Sequence, residues 1–155
     1  MNEEPIINVL YVDDEENNLQ SFKATFRRKF NVFTAISAEA SKVILNSNEI
    51  HILITDQRMP ETLGTELLAE MVVENPDQIR ILLTGYSDLN AIKDAINRGQ
   101  IYQYLEKPWN EELLTETIIK AFDVYRLKKE QKSLMTQLMT VNEKLEFMLR
   151  QKLIS

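Results

Sequence analysis

Short apolar runs alternate along the chain with segments in which apolar residues recur every three or four positions. Five of the runs are apolar on successive residues and several are rich in β-branched side chains. They cover residues 6–12, 31–35, 50–55, 79–83 and 101–105. Strands that are apolar on both faces are typical of a parallel sheet covered by helices on both sides. The pattern therefore predicts five buried β-strands.

The segments between these runs have the spacing of amphipathic helices. Four of them cover residues 19–30, 38–45, 63–72 and 89–96, and a fifth helix is predicted to start near Asn110. Ser37 and Asn110 are expected N-caps, and Gly99 stands where a C-terminal cap of the fourth helix belongs. A strand–helix unit repeated five times predicts an α/β fold with an open, doubly wound parallel sheet. In such a sheet, ligands bind at the carboxyl ends of the strands.

The fifth helical pattern continues well beyond the length that a five-stranded sheet can cover. From residue 124 the spacing alternates between three and four, and seven of eight core positions are apolar. These positions are Val124, Leu127, Gln131, Leu134, Leu138, Val141, Leu145 and Met148. The repeat predicts a main domain in residues 1–124 and a coiled-coil extension of the fifth helix in residues 125–155. We call these eight positions the seam. Because exposure of its apolar side chains to water is unfavourable, we expect a parallel homodimer through residues 124–152. A C-terminal helix folded back onto its own sheet is the alternative.

Composition and charge narrow the class of protein. The chain of 155 residues is 44% hydrophobic and 27% charged, and it has no cysteine. It has no signal-peptide pattern and no apolar run near the ~18 residues that span a bilayer, so we expect a cytoplasmic protein that does not contact membrane. Residues 1–124 carry 21 acidic and 11 basic side chains, whereas residues 125–155 carry 3 and 7. An acidic main domain repels nucleic acid, so DNA binding by it is not expected.

Polar residues follow four of the predicted strands. Asp13 and Asp14 follow the first, Asp56 the third, Thr84 the fourth and Lys107 the fifth. These strand ends meet at one edge of a parallel sheet, and three carboxylates placed together there require a cation. Carboxylate oxygens, a backbone carbonyl and water are what Mg²⁺ prefers. An Asp nucleophile with Mg²⁺, an ammonium and a hydroxyl can bind and transfer a phosphoryl group, and Asp56 is the expected nucleophile.

These residues resemble the receiver domain of bacterial response regulators in two-component systems. The resemblance covers about residues 5–124. It is carried by five elements in the same order: Asp13-Asp14, Asp56-Gln57-Arg58-Met59-Pro60 with Gly64 eight residues after the Asp, Thr84-Gly85, Tyr104, and Lys107-Pro108.

The resemblance implies a flavodoxin-like sheet in the order 2-1-3-4-5. It also implies phosphorylation of Asp56 by a histidine kinase, a phosphotransfer protein or a small phosphodonor. The implied Mg²⁺ ligands are Asp14, Asp56 and the Arg58 carbonyl, with Asp13 helping through water. Lys107 would contact the phosphoryl group.

In the same family, a switch threonine and a switch aromatic report phosphorylation to the face formed by the fourth helix, fifth strand and fifth helix. The matching residues here are Thr84 and Tyr104. Arg58 and Tyr86 are bulky at loop positions that influence how fast the aspartyl phosphate hydrolyses. The family attaches receivers to output domains, so a downstream output domain is a possible partner.

Two alternatives remain from the residues themselves. A receiver-like scaffold that cannot accept phosphate would have the same fold. A phosphatase of the haloacid-dehalogenase type also uses an Asp nucleophile, but it places a second Asp two residues later, where this chain has Arg58. The expected protein is therefore a signalling protein that catalyses only its own phosphorylation and dephosphorylation.

Overall fold

The computed structural model describes residues 4–85 and 89–154 and has five strands that alternate with five helices. The strands are β1 (Asn8–Val12), β2 (Asn31–Ala35), β3 (Ile52–Thr55), β4 (Ile79–Thr84) and β5 (Gln103–Glu106). The helices are α1 (Glu16–Phe26), α2 (Ala38–Ser47), α3 (Gly64–Glu74), α4 (Leu89–Asn97) and α5 (Glu111–Ile154). This order confirms the predicted α/β class.

The strands form one parallel sheet in the order β2-β1-β3-β4-β5. The register sets Val12 beside Thr55 and Thr55 beside Leu82, so β1 and β3 end level and β4 continues two residues further. The order confirms the flavodoxin-like topology. It also brings the residues that follow β1 and β3 next to each other in the centre of the sheet.

The helices cover the two faces of the sheet unequally. Helices α1 and α5 pack on one face, where Phe22 and Ile118 are fully buried. Helices α2, α3 and α4 pack on the other, where Leu68 and Ile92 are buried. Both faces are thus closed, which explains why β3 and β4 are buried at every position.

The helix ends follow the local chemistry of the sequence. The Ser37 hydroxyl accepts the Ala40 backbone N–H at 3.0 Å, and the Asn110 side chain accepts the Leu113 N–H at 2.9 Å. Gly99 has a φ of 72°, and its N–H reaches the carbonyl of residue 96 in a Schellman cap. All three predicted caps are confirmed.

Helix α1 is shorter than its apolar spacing predicts. It ends at Phe26 rather than at Phe30. The Phe30 N–H still reaches the Phe26 carbonyl at 2.9 Å, and the Phe30 ring stays only 6% exposed in the same core. Phe30 therefore keeps its core position from a turn, so a periodic apolar residue need not extend the helix.

Helix α5 extends far beyond the sheet. Its burial ends at Tyr125, and every residue from 126 to 154 is exposed. At ~1.5 Å per residue this part is about 43 Å long. Despite that length, none of the described helices is apolar enough to cross a membrane.

Candidate functional site

The carboxyl ends of four strands bring the polar residues together. Asp13 directly follows β1, Asp56 directly follows β3, Thr84 is the last residue of β4, and Lys107 directly follows β5. The Lys107 N–H donates to the Thr84 carbonyl at 2.9 Å, which continues the pairing of β4 and β5 by one residue. The predicted edge of the sheet is thus a single cluster of polar groups.

Three carboxylates lie at the centre of this cluster. Asp13, Asp14 and Asp56 each place an oxygen within 4.8 Å of the others'. Asp13 has no exposed surface, Asp56 is 9% exposed, and Asp14 lies closer to solvent. Three hard oxygen donors with a solvent-facing side suit Mg²⁺, which keeps several of its waters when bound to proteins. The donor set therefore fits the cation that the sequence predicts.

Lys107 reaches into the cluster from the neighbouring strand. Its ammonium lies 2.7 Å from an Asp13 carboxylate oxygen and 3.4 Å from an Asp56 oxygen. Burial opposes its charge, but the two carboxylates outweigh burial and raise the pKa of Lys107 above its usual range. Lys107 is therefore a fixed positive charge between two carboxylates.

Asp13 is held by four donors. Its Oδ2 accepts the Tyr11 hydroxyl at 2.6 Å, the Lys107 ammonium at 2.7 Å and the Asn18 amide at 3.1 Å. Its Oδ1 accepts the Glu15 backbone N–H at 2.9 Å. Burial disfavours its ionised form, yet these hydrogen bonds outweigh burial and lower the pKa of Asp13. The carboxylate is thus kept ionised and fixed in orientation.

Asp56 has a different environment. Its Oδ1 accepts the Gln57 backbone N–H at 2.8 Å. Burial raises the pKa of Asp56, and Lys107 only partly offsets this while Asp13 adds to it. Among the described residues Asp56 has fewer hydrogen-bond donors than Asp13, so Asp56 is the less stabilised of the two carboxylates.

The loop after Asp56 is closed by its own residues. The Gln57 carbonyl accepts the Gly64 N–H at 2.9 Å, and the Gln57 side chain bonds the backbone and hydroxyl of Thr65 at the start of α3. An added Cβ at Gly64 would collide with the Asp56 carbonyl. Glycine at this position thus allows α3 to pack directly against the strand end that carries Asp56.

The remaining predicted site residues lie around this centre. Thr84 is 1% exposed, at the end of the strand beside Asp56. Tyr104 lies on β5 and is partly buried against the core that contains α4. Arg58 is exposed, two residues after Asp56. Tyr86 lies outside the described residues.

Three residues that hold the site in place were not predicted from the sequence. Tyr11 and Asn18 both bond Asp13, and Gln57 both bonds Asp56 and caps α3. The signal for Tyr11 was available, since residues two apart in a strand point to the same face and Tyr11 must share a face with Asp13. Asn18 and Gln57 gave no comparable signal, because their roles depend on loop geometry.

Comparison with known families agrees with this geometry. Residues 9–119 match the family described as response regulator receiver domain. This chain belongs to that family. The match covers residues of all five strands and all the polar residues of the site described above, so the receiver domain is the part of the chain that carries the site.

Curated relatives of this receiver domain are transcriptional regulators. It is 34% identical over 122 residues to the hydrogenase transcriptional regulatory protein HoxA of Bradyrhizobium diazoefficiens, covering 79% of this chain and 25% of that protein. It is 33% identical over 147 residues to HoxA of Cupriavidus necator, covering 95% of this chain and 30% of that protein. The chain therefore spans only a quarter to a third of these relatives.

Solved structures give the same family. The signal receiver domain of an HD domain-containing protein from Pseudomonas fluorescens Pf-5 is 32% identical, with a TM-score of 0.75 over 79% of this chain and 98% of that one. The structural likeness thus covers nearly all of an isolated receiver domain.

Proposed function

We propose that the receiver domain accepts a phosphoryl group on Asp56 from a histidine kinase, a phosphotransfer protein or a small phosphodonor. The observation that carries this proposal is the position of Lys107, whose ammonium is shared between Asp13 and Asp56. A positive charge beside the less stabilised carboxylate is what a transferring phosphoryl group requires.

The chemical step follows from these positions. An Asp56 carboxylate oxygen attacks phosphorus, a bond between this oxygen and phosphorus forms, and the bond to the donor's leaving atom breaks. Lys107 stays within reach of the new oxygens because Asp13 anchors it at 2.7 Å. A groove beside the cluster gives access to a donor, and it is lined by Tyr11, Asn18, Ser21, Lys107, Pro108 and Trp109.

Asp13, Asp14 and Asp56, with the Arg58 carbonyl, are the residues that would hold Mg²⁺. When bound, the ion neutralises charge that develops on the transferring oxygens. The residues alone carry three negative charges against one from Lys107, so phosphate would be repelled without a cation. Phosphorylation is therefore expected to depend on Mg²⁺.

The direct test is intact-mass spectrometry after incubation with acetyl phosphate and MgCl₂. The protein should gain one phosphoryl group, and Asp56→Asn should gain none because an amide is a poor nucleophile. Asp94→Asn is the matched control, since Asp94 is an exposed residue of α4 that pairs with Arg98. Unlabelled parent protein would favour a receiver-like scaffold that cannot accept phosphate, and labelling of Asp56→Asn would refute the assignment.

We further propose that Thr84 and Tyr104 transmit phosphorylation to the face formed by α4, β5 and α5. Thr84 is buried at the strand end next to Asp56, and Tyr104 lies on the adjoining strand, where Leu82 is its register partner. A phosphoryl group on Asp56 would draw the Thr84 hydroxyl inward and shift the population of Tyr104 positions. Amide NMR with beryllofluoride should show shifts in residues 84–107. Shifts confined to residues 56–60 would count against this route.

The exposed part of α5 is proposed to act as a parallel coiled coil between two copies of the chain. Seam positions Leu127, Leu134, Leu138, Val141, Leu145 and Met148 are each more than half exposed. The receiver domain contacts the helix elsewhere, since Lys129 and Lys132, which lie outside the seam, both pair with Asp77. The seam is therefore left accessible to a second helix.

The apolar area supports association. Covering the exposed half of these six side chains on each of two helices would contribute about 10–20 kcal/mol, at ~1.5–3 kcal/mol for a whole side chain. That gain lies at or above the ~4–15 kcal/mol cost of lost freedom on association. In a parallel pair, Gln131 would meet Gln131 of the second copy within the seam. Asp123 would lie near Lys128 of that copy, which gives a pair of opposite charges.

Light scattering on the full chain tests the dimer. Leu134→Lys combined with Leu138→Lys should give a monomer, whereas Thr136→Lys combined with Thr140→Lys, on the opposite side of the helix, should leave the dimer intact. A monomeric parent at tens of micromolar would refute self-association. The chain has no cysteine, so Leu145→Cys should form an interchain disulfide only if the helices are parallel.

The matches cover only a quarter to a third of the length of the curated relatives, so these proteins continue well beyond their receiver domains. The match with HoxA of Cupriavidus necator covers 95% of this chain, so it extends into the exposed part of α5. We accordingly propose that this helix is the connection through which phosphorylation reaches an output domain.

A further inference from the structure

We propose that Tyr11 is a positioning residue of the phosphoacceptor site, and that it acts by holding Asp13 in the orientation that the metal site needs. The inference rests on the metal site proposed above and adds to it a residue that takes no direct part in phosphoryl transfer. Its basis is the 2.6 Å hydrogen bond from the Tyr11 hydroxyl to Asp13 Oδ2.

The two groups that form this hydrogen bond are both fully buried. Both Tyr11 and Asp13 have no exposed surface. Removing the hydroxyl would leave Asp13 Oδ2 with the Lys107 ammonium and the Asn18 amide as its side-chain donors. A buried acceptor that loses one of its donors is less well stabilised in its position.

The same oxygen also holds Lys107. Oδ2 accepts the ammonium at 2.7 Å, while the distance from Lys107 to Asp56 is 3.4 Å. The Tyr11 hydroxyl is a neutral donor, so it fills one hydrogen-bonding position of Oδ2 without adding charge. Without it, only the Lys107 ammonium and the Asn18 amide hold this oxygen, and the carboxylate is free to turn away from the orientation that faces Asp14 and Asp56.

The tyrosine ring is itself held rigidly. Its centroid lies 4.5 Å from that of Phe22, and Phe22 packs in turn on Phe26 and Trp109. An aromatic cluster between α1, β1 and the start of α5 thus fixes where the hydroxyl points. A group that orients a metal ligand must be immobilised in this way to be effective.

Tyr11→Phe is the informative variant because it removes only the hydroxyl. Mg²⁺ affinity can be measured by amide NMR, following the Gln57 N–H that donates to Asp56 Oδ1. We expect Tyr11→Phe to bind Mg²⁺ about tenfold more weakly, as for other residues that orient metal ligands. At saturating Mg²⁺, its rate of labelling by acetyl phosphate should return to within about twofold of the parent rate. Tyr102→Phe is the control, since Tyr102 is 42% exposed and lies before β5 at the opposite edge of the sheet.

A double-mutant cycle separates positioning from general damage. In an Asp13→Asn background, Tyr11→Phe should change Mg²⁺ affinity by less than about twofold, because its target is already altered. An undiminished tenfold effect there would overturn the inference, as would an unchanged or tighter affinity in Tyr11→Phe alone. Labelling that stays slow at saturating Mg²⁺ would also overturn it, because Tyr11 would then act on transfer itself.

The parent protein distinguishes this inference from the proposed function. If the parent shows no Mg²⁺-dependent shifts, the metal site fails and this inference fails with it. If parent and Tyr11→Phe bind Mg²⁺ equally, only the role of Tyr11 is refuted. The NMR spectrum of each variant also reports directly whether it is folded.

Discussion

Replacing Gly64 by alanine should damage both the stability of the receiver domain and the proposed phosphoacceptor, Asp56. An added Cβ would collide with the Asp56 carbonyl oxygen, and it would lie 3.0 Å from the carbonyl carbon and 3.1 Å from the Gln57 Cα. All three are main-chain atoms, so no side-chain rotation can relieve the overlap. Either α3 or the end of β3 has to move.

The expected cost follows from this overlap. Forcing an extra carbon into a packed site typically costs about 1–3 kcal/mol. For a domain of this size each kcal/mol lowers the melting temperature by about 2–4 °C. Because the displaced atoms belong to Asp56, the rate of labelling by acetyl phosphate should fall as well, by about tenfold or more.

Gly85→Ala provides the matched control. There the nearest atom to an added Cβ is the Lys107 Cβ at an ordinary 3.8 Å. Its free energy of unfolding should rise slightly or stay within about 1 kcal/mol of the parent value. Urea unfolding followed by the fluorescence of the single tryptophan, Trp109, together with mass spectrometry of labelled protein, measures both effects. Equal stability of Gly64→Ala and Gly85→Ala, or unchanged labelling of Gly64→Ala relative to the parent, would refute the reasoning.

Three further predictions concern other parts of the chain. Burial lowers the pKa of His51, so the folded protein keeps this ring neutral. Stability should therefore fall as pH drops below ~6.5, the ordinary value in the unfolded chain. Urea unfolding of His51→Gln should show a smaller fall, and parallel pH profiles would contradict this. Gly99→Ala should lose about 1 kcal/mol of unfolding free energy, since φ is 72° at this position. Gly99→Asn should lose less, and equal losses would refute the role of the left-handed cap. Asp77→Asn should cost less than about 1 kcal/mol because its partners Lys129 and Lys132 are exposed. It should speed hydrogen exchange in residues 126–132, and unchanged exchange there would show that these pairs do not hold the helix.

The sequence was informative wherever a feature depends on local periodicity. Buried parallel strands are apolar on both faces, so their positions and their order with the helices could be predicted. Ser37, Gly99 and Asn110 cap helices through contacts within a few residues, and these were predictable for the same reason. The positions of Asp56 and Lys107 followed because parallel strands end at one edge.

Contacts between residues that are distant in the sequence could not be predicted where neither lies at a strand end. Nothing in the spacing of Asp77 and Lys132 indicates that they meet, because their contact requires the direction in which α5 leaves the sheet. Likewise, the unequal hydrogen bonding of Asp13 and Asp56 arises from which loop amides and side chains surround each carboxylate. The sequence placed the two groups together, but it did not say which would be the better stabilised.

Helix α5 connects the two ends of the molecule as a single rigid lever. It begins four residues after Lys107, passes along the whole sheet, and leaves the domain at Tyr125 on the opposite edge. The part beyond that pivot is about 43 Å long, so a tilt of only about 5° would move its tip by about 4 Å. Residues 111–125 span about 21 Å, so the same tilt moves the start of α5 by only about 2 Å. A shift of about 2 Å beside Lys107 would thus become a shift of about 4 Å at the far end, enough to change which residues of two neighbouring helices face each other.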